Sequence, residues 1–473
     1  MIASRSIERY RHNTMASIPR PNPKLMVVGD SLAQGCRSLT VKSHFSSHSY
    51  SKIIADSQGW EFVTPDFPRP VVLDFEQELL NLKLHRVVGA GKRLNQNLAG
   101  WLADFSSGRK LSNHSCFDNL AIAGVSLSQF ESFQAGNLRR NLASNLPAAL
   151  SESLFDKFKR IGDLHLGING AFTLNPSQNP AYDTWDQLKW VEKRKPENLI
   201  FHCGHNDGVY DVGSNAAVVN LKTKTWPKYK KQLERLKTLP KQTKRIVVVL
   251  LPRLSSVANL APQGPIQSNG YAKQYETVFP IVGKSISGKT LEQIDNDTKW
   301  VNTAIRKLLH SFNDPRFVVV DTYRILKKYD FKNYREPSRQ LSIKKLRIDN
   351  RYLHWHQRTR KKKRGSGYRY YHSFNYEHGG LQSLDGMHPS GPGYAMFACE
   401  IMNKLDLLYD KKKVLERGLE SEILFAGKRI GEGFCNLRRT LSTISRFVPK
   451  PDEKDLNAGT LAAAACAPFQ TDL

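Results

Sequence analysis

Five short apolar runs constrain this chain most. Lys24–Val28 ends at Gly29, Phe117–Ala123 ends at Gly124, and Asn198–Cys203 runs into Gly204. Arg245–Leu251 stops at Pro252, and Arg316–Val320 ends at Asp321. Runs this short and this continuously apolar suit strands buried on both faces. Helical patterns lie between them: Leu146–Ile161 with Pro147 in its first turn, Trp226–Leu239 opened by Pro227, Thr290–Ser311, and Gly391–Tyr409. Strands alternating with helices predict an α/β fold, a central parallel sheet covered on both faces. In such sheets ligands bind beyond the carboxyl ends of the strands. Ser31, Gly124 and Asn206 each fall just past a predicted strand end.

Three blocks carry chemistry, two just past those ends and one near the C-terminal end of the folded part. Gly29-Asp30-Ser31-Leu32 supplies a serine, Gly204-His205-Asn206-Asp207 an amide donor, and Asp385-Gly386-Met387-His388-Pro389 a carboxylate three residues before a histidine. A serine hydroxyl attacks poorly until a base takes its proton, a base needs an orienting carboxylate, and a developing oxyanion needs donors. Each block alone reads as an ordinary turn, cap or surface pair. Together they are the parts of a serine acyl hydrolase.

With Asn119-Leu120-Ala121-Ile122-Ala123-Gly124 as a further block, the chain resembles the GDSL/SGNH hydrolase family, in that family's block order. Ala121 stands where a glycine is more usual. The resemblance runs from about Lys24 to Tyr409 and implies a three-layer α/β/α, flavodoxin-like fold. It implies Ser31 as nucleophile, His388 as base and Asp385 as its orienter. It also implies an oxyanion hole of the Ser31 and Gly124 backbone N–H groups and the Asn206 side chain. The activity expected is cleavage of a carboxylic ester through an acyl-enzyme, without cofactor or metal. Transfer to a hydroxyl acceptor on the same site is the alternative. Activity is expected to rise with pH as His388 loses its proton, near the reference value of about 6.5 if nothing perturbs it.

The 473 residues exceed what this core needs. The organisation expected is an N-terminal extension over 1–23, a hydrolase domain over 24–410, and a C-terminal extension over 411–473 that is partly disordered. Insertions are placed at about 37–115, 255–290 and 323–380. The net charge of +28 favours anionic partners. Half of it falls within 323–372, where 17 Lys and Arg face 3 Asp and Glu, with aromatics interleaved. That composition suits contact with anionic lipid, glycan or nucleic acid, or with an anionic ester, as well as a solvated excursion. No recognised nucleic-acid module is visible.

A second motif competes. Gly283-Lys284-Ser285-Ile286-Ser287-Gly288-Lys289-Thr290 fits the phosphate-loop pattern of a nucleotide-binding protein. Pro280 breaks the strand that should precede it, which favours a plain helix cap. His205 is expected to contact substrate, and His202 to be satisfied structurally. His354 and His356, two apart, are a poor metal signal. The six cysteines form no Cys-x-x-Cys pair and fit a reducing compartment. Cys203 reads as a buried small hydrophobe. The N-terminal stretch lacks the apolar core of a secretory signal, and no run reaches membrane-spanning length. A cytoplasmic location is the expectation.

Overall fold

The computed structural model describes residues 18–80, 87–209, 220–277, 285–330, 341–343, 346–348, 356–364, 367–375, 380–383 and 385–421. Its centre is a parallel sheet of β1 (Leu25–Gly29), β2 (Asn198–His202), β3 (Arg245–Val249) and β4 (Phe317–Val320), side by side in that order. Leu25 lies opposite Asn198, Leu199 opposite Ile246, and Val247 opposite Val318.

The predicted strand Phe117–Ala123 flanks β1 without becoming a full ladder. Val27 N–H donates to the Asp118 carbonyl at 2.9 Å, and Leu120 N–H returns the bond to Val27 at 2.8 Å. Val27 and Asn119 make the one bridge. Beyond it the Gly29 N–H, which would continue the ladder to Leu120, donates instead to the Gln187 side chain at 2.7 Å, although Ile122 N–H still reaches the Gly29 carbonyl. With this segment outermost, the chain order across the sheet is second, first, third, fourth, fifth: the flavodoxin-like arrangement.

Alternation along each strand divides the core. Met26, Val28, Leu199, Phe201, Ile246 and Val248 pack on one face, with the helices Ala135–Ser151, Leu154–Leu174, Gln187–Arg194, Trp226–Lys237 and Gly288–Ser311. Leu25, Val27, Ile200, Val247 and Val249 pack on the other, with Tyr50–Ser57, Gly391–Lys404 and Lys411–Glu420. Side chains of successive strand residues point to opposite faces, so a fully apolar strand feeds both layers. This is the expected α/β/α sandwich.

Three sequence readings change. Leu146–Ile161 is two helices: Ala135–Ser151 holds Pro147 in its interior, and a new helix starts at Leu154. The break is chemical, because Glu152 is extended and the Ser153 hydroxyl caps the second helix by accepting the Asp156 N–H at 3.2 Å. Apolar periodicity carries across those residues and hides it. Within 37–115, the helix Tyr50–Ser57 packs against Gly391–Lys404, so this stretch supplies core as well as excursion. The first ten residues of the expected C-terminal extension form Lys411–Glu420, which buries Val414, Leu415 and Leu419. Its Gly418 sits so close to Gly391–Lys404 that a Cβ there would lie 2.6 Å from the Ala395 Cβ and the Gly391 carbonyl.

The phosphate-loop motif keeps the reading the sequence favoured. Gly283 and Lys284 lie outside the described residues, but Ser285–Ser287 belongs to a small antiparallel sheet with Leu260–Ile266 and Ala272–Thr277. Phosphate loops follow a strand of a parallel sheet. Here Ser287 caps Gly288–Ser311, accepting the Thr290 N–H at 3.0 Å. Gly288 is a packing glycine, since a Cβ there would come within 1.9 Å of the Ala272 carbonyl. The motif is therefore read as a helix cap.

The basic segment contains a long antiparallel hairpin, His356–Arg364 against Gly367–Asn375. Its register sets Arg360 opposite Tyr371, Lys361 opposite Tyr370 and Lys363 opposite Tyr368. His354, the N-terminal extension up to residue 17, and 422–473 lie outside the described residues. Among the described residues, no helix is long and apolar enough to cross a membrane.

Candidate functional site

β1 ends at Gly29, where any Cβ would lie 1.9 Å from the His202 carbonyl oxygen at the end of β2. That close approach lets the chain turn at once into the short helix Ser31–Gln34, capped by Asp30, whose side chain accepts the Leu32 N–H at 3.3 Å. Ser31 is the first helical residue and is 4 % exposed. Its backbone N–H donates to no described residue.

The second and third blocks are bonded to this helix. Gln34 accepts the Ala123 N–H at 2.8 Å, and Ile122 N–H donates to the Gly29 carbonyl at 3.0 Å. Gly124 follows at φ +92°, a conformation glycine adopts without strain, and its N–H is also unclaimed among the described residues. Asn206 donates one amide hydrogen to the Val125 carbonyl at 3.0 Å, and among the described residues the other has no acceptor. Asp207 accepts the Leu127 N–H at 2.7 Å, clamping the two loops together.

His205 departs from expectation. It is fully buried, with Nδ1 2.7 Å from Asp30 Oδ2 and its backbone N–H on the same oxygen at 3.2 Å. It braces the nucleophile turn. Burial alone would raise the Asp30 carboxyl, but the charge and hydrogen bonds of His205 hold it below its usual value. His202 is satisfied structurally, as expected, with Nδ1 3.2 Å from the Tyr50 hydroxyl. Burial, aided by His205, pushes its pKa down to about 3. Cys203 is fully buried, also as expected.

The fourth block arrives from the other end of the chain. Asp385 is fully buried and accepts five hydrogen bonds. Oδ1 takes the Met387 N–H at 2.8 Å, the His388 N–H at 2.9 Å and the Ser383 hydroxyl at 3.2 Å. Oδ2 takes the Leu39 N–H at 2.9 Å and faces His388 Nδ1 at 2.6 Å. These bonds and the His388 charge outweigh desolvation and hold the carboxyl below its usual value. The loop is tied to the nucleophile's neighbours: Ser38 N–H donates to the Ser383 hydroxyl at 2.8 Å, and the Tyr394 hydroxyl to the Cys36 carbonyl at 2.7 Å. Leu32, His205 and Met387 line one small cavity, so all three blocks meet.

His388 is 2 % exposed. Burial opposes its protonation, but Cys36 and Asp385 beside it raise its pKa well above the usual value. The Ser31 hydroxyl makes no hydrogen bond to His388 in this structure. Such bonds are often long before substrate arrives. Cys36, five residues after Ser31, was not singled out in the sequence. A lone cysteine beyond a glycine gives no pattern, and only folding sets it against His388. No cluster of His, Cys, Asp and Glu suited to a metal occurs among the described residues.

The family model for GDSL-like lipase/acylhydrolase matches residues 25–401. The chain belongs to this family. No curated protein matches the chain. Membership supports a general ester-hydrolysing or acyl-transferring role, and the matched span takes in all four GDSL-like blocks.

Proposed function

We propose that this protein is a serine hydrolase that cleaves a carboxylic ester through an acyl-enzyme. The observation that carries the proposal is the buried Asp385–His388 pair at 2.6 Å, held by a carboxylate with no capacity left for other roles. Asp385 keeps the His388 proton on Nδ1, leaving Nε2 to take the Ser31 proton. Ser31 Oγ adds to the ester carbonyl, and the negative charge moves to the carbonyl oxygen. Unclaimed donors on Ser31, Gly124 and Asn206 suit that oxyanion. The tetrahedral intermediate collapses, and His388 returns the proton to the leaving alcohol. Water, activated by the same imidazole, then releases the acid and regenerates Ser31. A hydroxyl acceptor in place of water turns the same steps into acyl transfer.

The partner side of this reading concerns the hairpin that pairs a basic strand with a tyrosine-rich one. It is suited to an anionic part of the substrate or its surroundings, with an affinity that falls as salt rises.

Hydrolysis of p-nitrophenyl esters from acetate to long chain, by wild type and Ser31→Ala, tests the central claim. Activity lost in the variant supports it, and the best chain length sizes the acyl pocket. Activity retained by Ser31→Ala overturns it. Release of p-nitrophenol accompanied by acylation of an added alcohol favours transfer over hydrolysis.

A further inference from the structure

The helix Leu154–Leu174 is docked directly on the nucleophile turn. Gln34 Nε2 donates to Asn169 Oδ1 at 2.7 Å, and Asn169 Nδ2 donates back to Gln34 Oε1 at 2.9 Å. Thr173, one turn later, lies 3.4 Å from the same Gln34 nitrogen. Leu166 borders the second block, with its Cδ1 3.4 Å from where a Cβ on Gly124 would be. His165 sits one turn before Asn169, on the same side of the helix.

His165 is 7 % exposed, and among the described residues neither ring nitrogen has a hydrogen-bond partner. Buried polar groups are almost always paired, and an orphaned imidazole carries one unmet donor and one unmet acceptor. Burial, with a smaller contribution from the nearby His388, lowers its pKa to about 4, so the ring is neutral at pH 7. Its helix thus rests on the Ser31 helix and the Gly124 loop, His388 is near enough to act on its ring, and no described residue uses its hydrogen-bonding capacity.

We infer that His165 is a substrate-positioning residue that exchanges hydrogen bonds with a hydroxyl on the alcohol part of the ester. The inference rests on the serine-hydrolase reading. In that chemistry His388 hands its proton to the leaving oxygen, so the alcohol part lies against His388 and whatever adjoins it. A hydroxyl both donates and accepts, matching the N–H and bare nitrogen of a neutral imidazole. The alcohols favoured are therefore polyols, glycerol-like or sugar-like, over simple alkyl alcohols. Hydrogen-bonding sites discriminate strongly against an analogue that lacks the hydroxyl, because their own polar groups are then left unpaired.

The test compares two esters of the same acid, 2,3-dihydroxypropyl and propyl, with the acyl length chosen from the p-nitrophenyl series. Wild type should favour the dihydroxypropyl ester in kcat/KM. His165→Leu should lose about tenfold on that ester, mainly through KM, and change the propyl ester by less than about twofold. His165→Gln, which keeps a donor and an acceptor, should recover part of the loss. Because an apolar residue removes an orphaned polar group, His165→Leu should melt no lower than wild type. Equal losses on both esters, an unchanged preference in His165→Leu, or no preference in wild type would overturn the role of His165. So would p-nitrophenyl turnover that depends on Ser31 without turnover of either alkyl ester. Activity on all esters that survives Ser31→Ala overturns the hydrolase reading instead, so the two failures are distinguishable.

Discussion

Replacing Asp385 with asparagine keeps the shape of the loop while exchanging one acceptor oxygen for an NH2. The amide oxygen still receives the Met387 and His388 N–H groups, bonded to Oδ1 at 2.8 and 2.9 Å in wild type. The amide nitrogen then faces the Leu39 N–H and His388 Nδ1, the two partners of Oδ2. Leu39 is left with an unpaired donor, costing about 1–3 kcal/mol of stability. His388 must accept at Nδ1 and carry its proton on Nε2, the wrong tautomer for taking the Ser31 proton. An asparagine in this position typically lowers kcat about 10⁴-fold. That corresponds to about 5 kcal/mol of barrier. The assay is p-nitrophenyl ester hydrolysis at saturating substrate, with thermal melting run in parallel. The expected result is a folded variant with a somewhat lower Tm, a KM close to wild type and kcat reduced by about four powers of ten. A folded Asp385→Asn enzyme with kcat within about tenfold of wild type would refute the orienting role, because it would mean His388 reaches the productive tautomer unaided.

The other expectations follow from the same geometry. Asn206→Ala removes an oxyanion donor and should lower kcat about 10²–10³-fold with little change in KM; a change confined to KM would remove Asn206 from that role. Because the His388 pKa is raised, the neutral base appears only at higher pH, so the rising limb of kcat/KM should lie above about 6.5. Cys36→Ser should move that limb to lower pH, since Cys36 helps to raise His388, and a limb that stays put would show that Cys36 does not act on the base. Arg194 pairs with the fully buried Asp118 at 2.5 Å, and Arg20 is a second cation on that carboxylate at 3.2 Å, so Arg194→Ala leaves Asp118 half-compensated and should cost less than the about 3–5 kcal/mol of a stranded buried charge, read by chemical denaturation.

Much of the architecture was legible in the chain because buried parallel strands must be apolar on both sides and must stop abruptly. The runs ending at Gly29, Gly204 and Pro252 announced β1, β2 and β3 almost to the residue. Helix ends were less legible. Ser153 restarts a helix through one hydroxyl cap, and the apolar pattern continues across it. The docking of Lys411–Glu420 was hidden for a related reason, since Val414, Leu415 and Leu419 are few among charged neighbours and the close fit of Gly418 against Ala395 exists only in the fold.

The reactive blocks were readable as motifs because their chemistry depends on residue type at short spacing, and Asp385 and His388 are three residues apart on one loop. Proximity across the chain was another matter. The sequence alone determined which groups were on offer: a serine after a strand, an amide after another, a carboxylate and an imidazole. Tertiary structure decided their surroundings. It turned His205 inward onto Asp30, set Cys36 beside His388, and gave neither His165 nitrogen a partner among the described residues. Whether a histidine braces a turn, tunes a base or waits for a ligand depends on burial and on partners hundreds of residues away, and local sequence carries neither quantity.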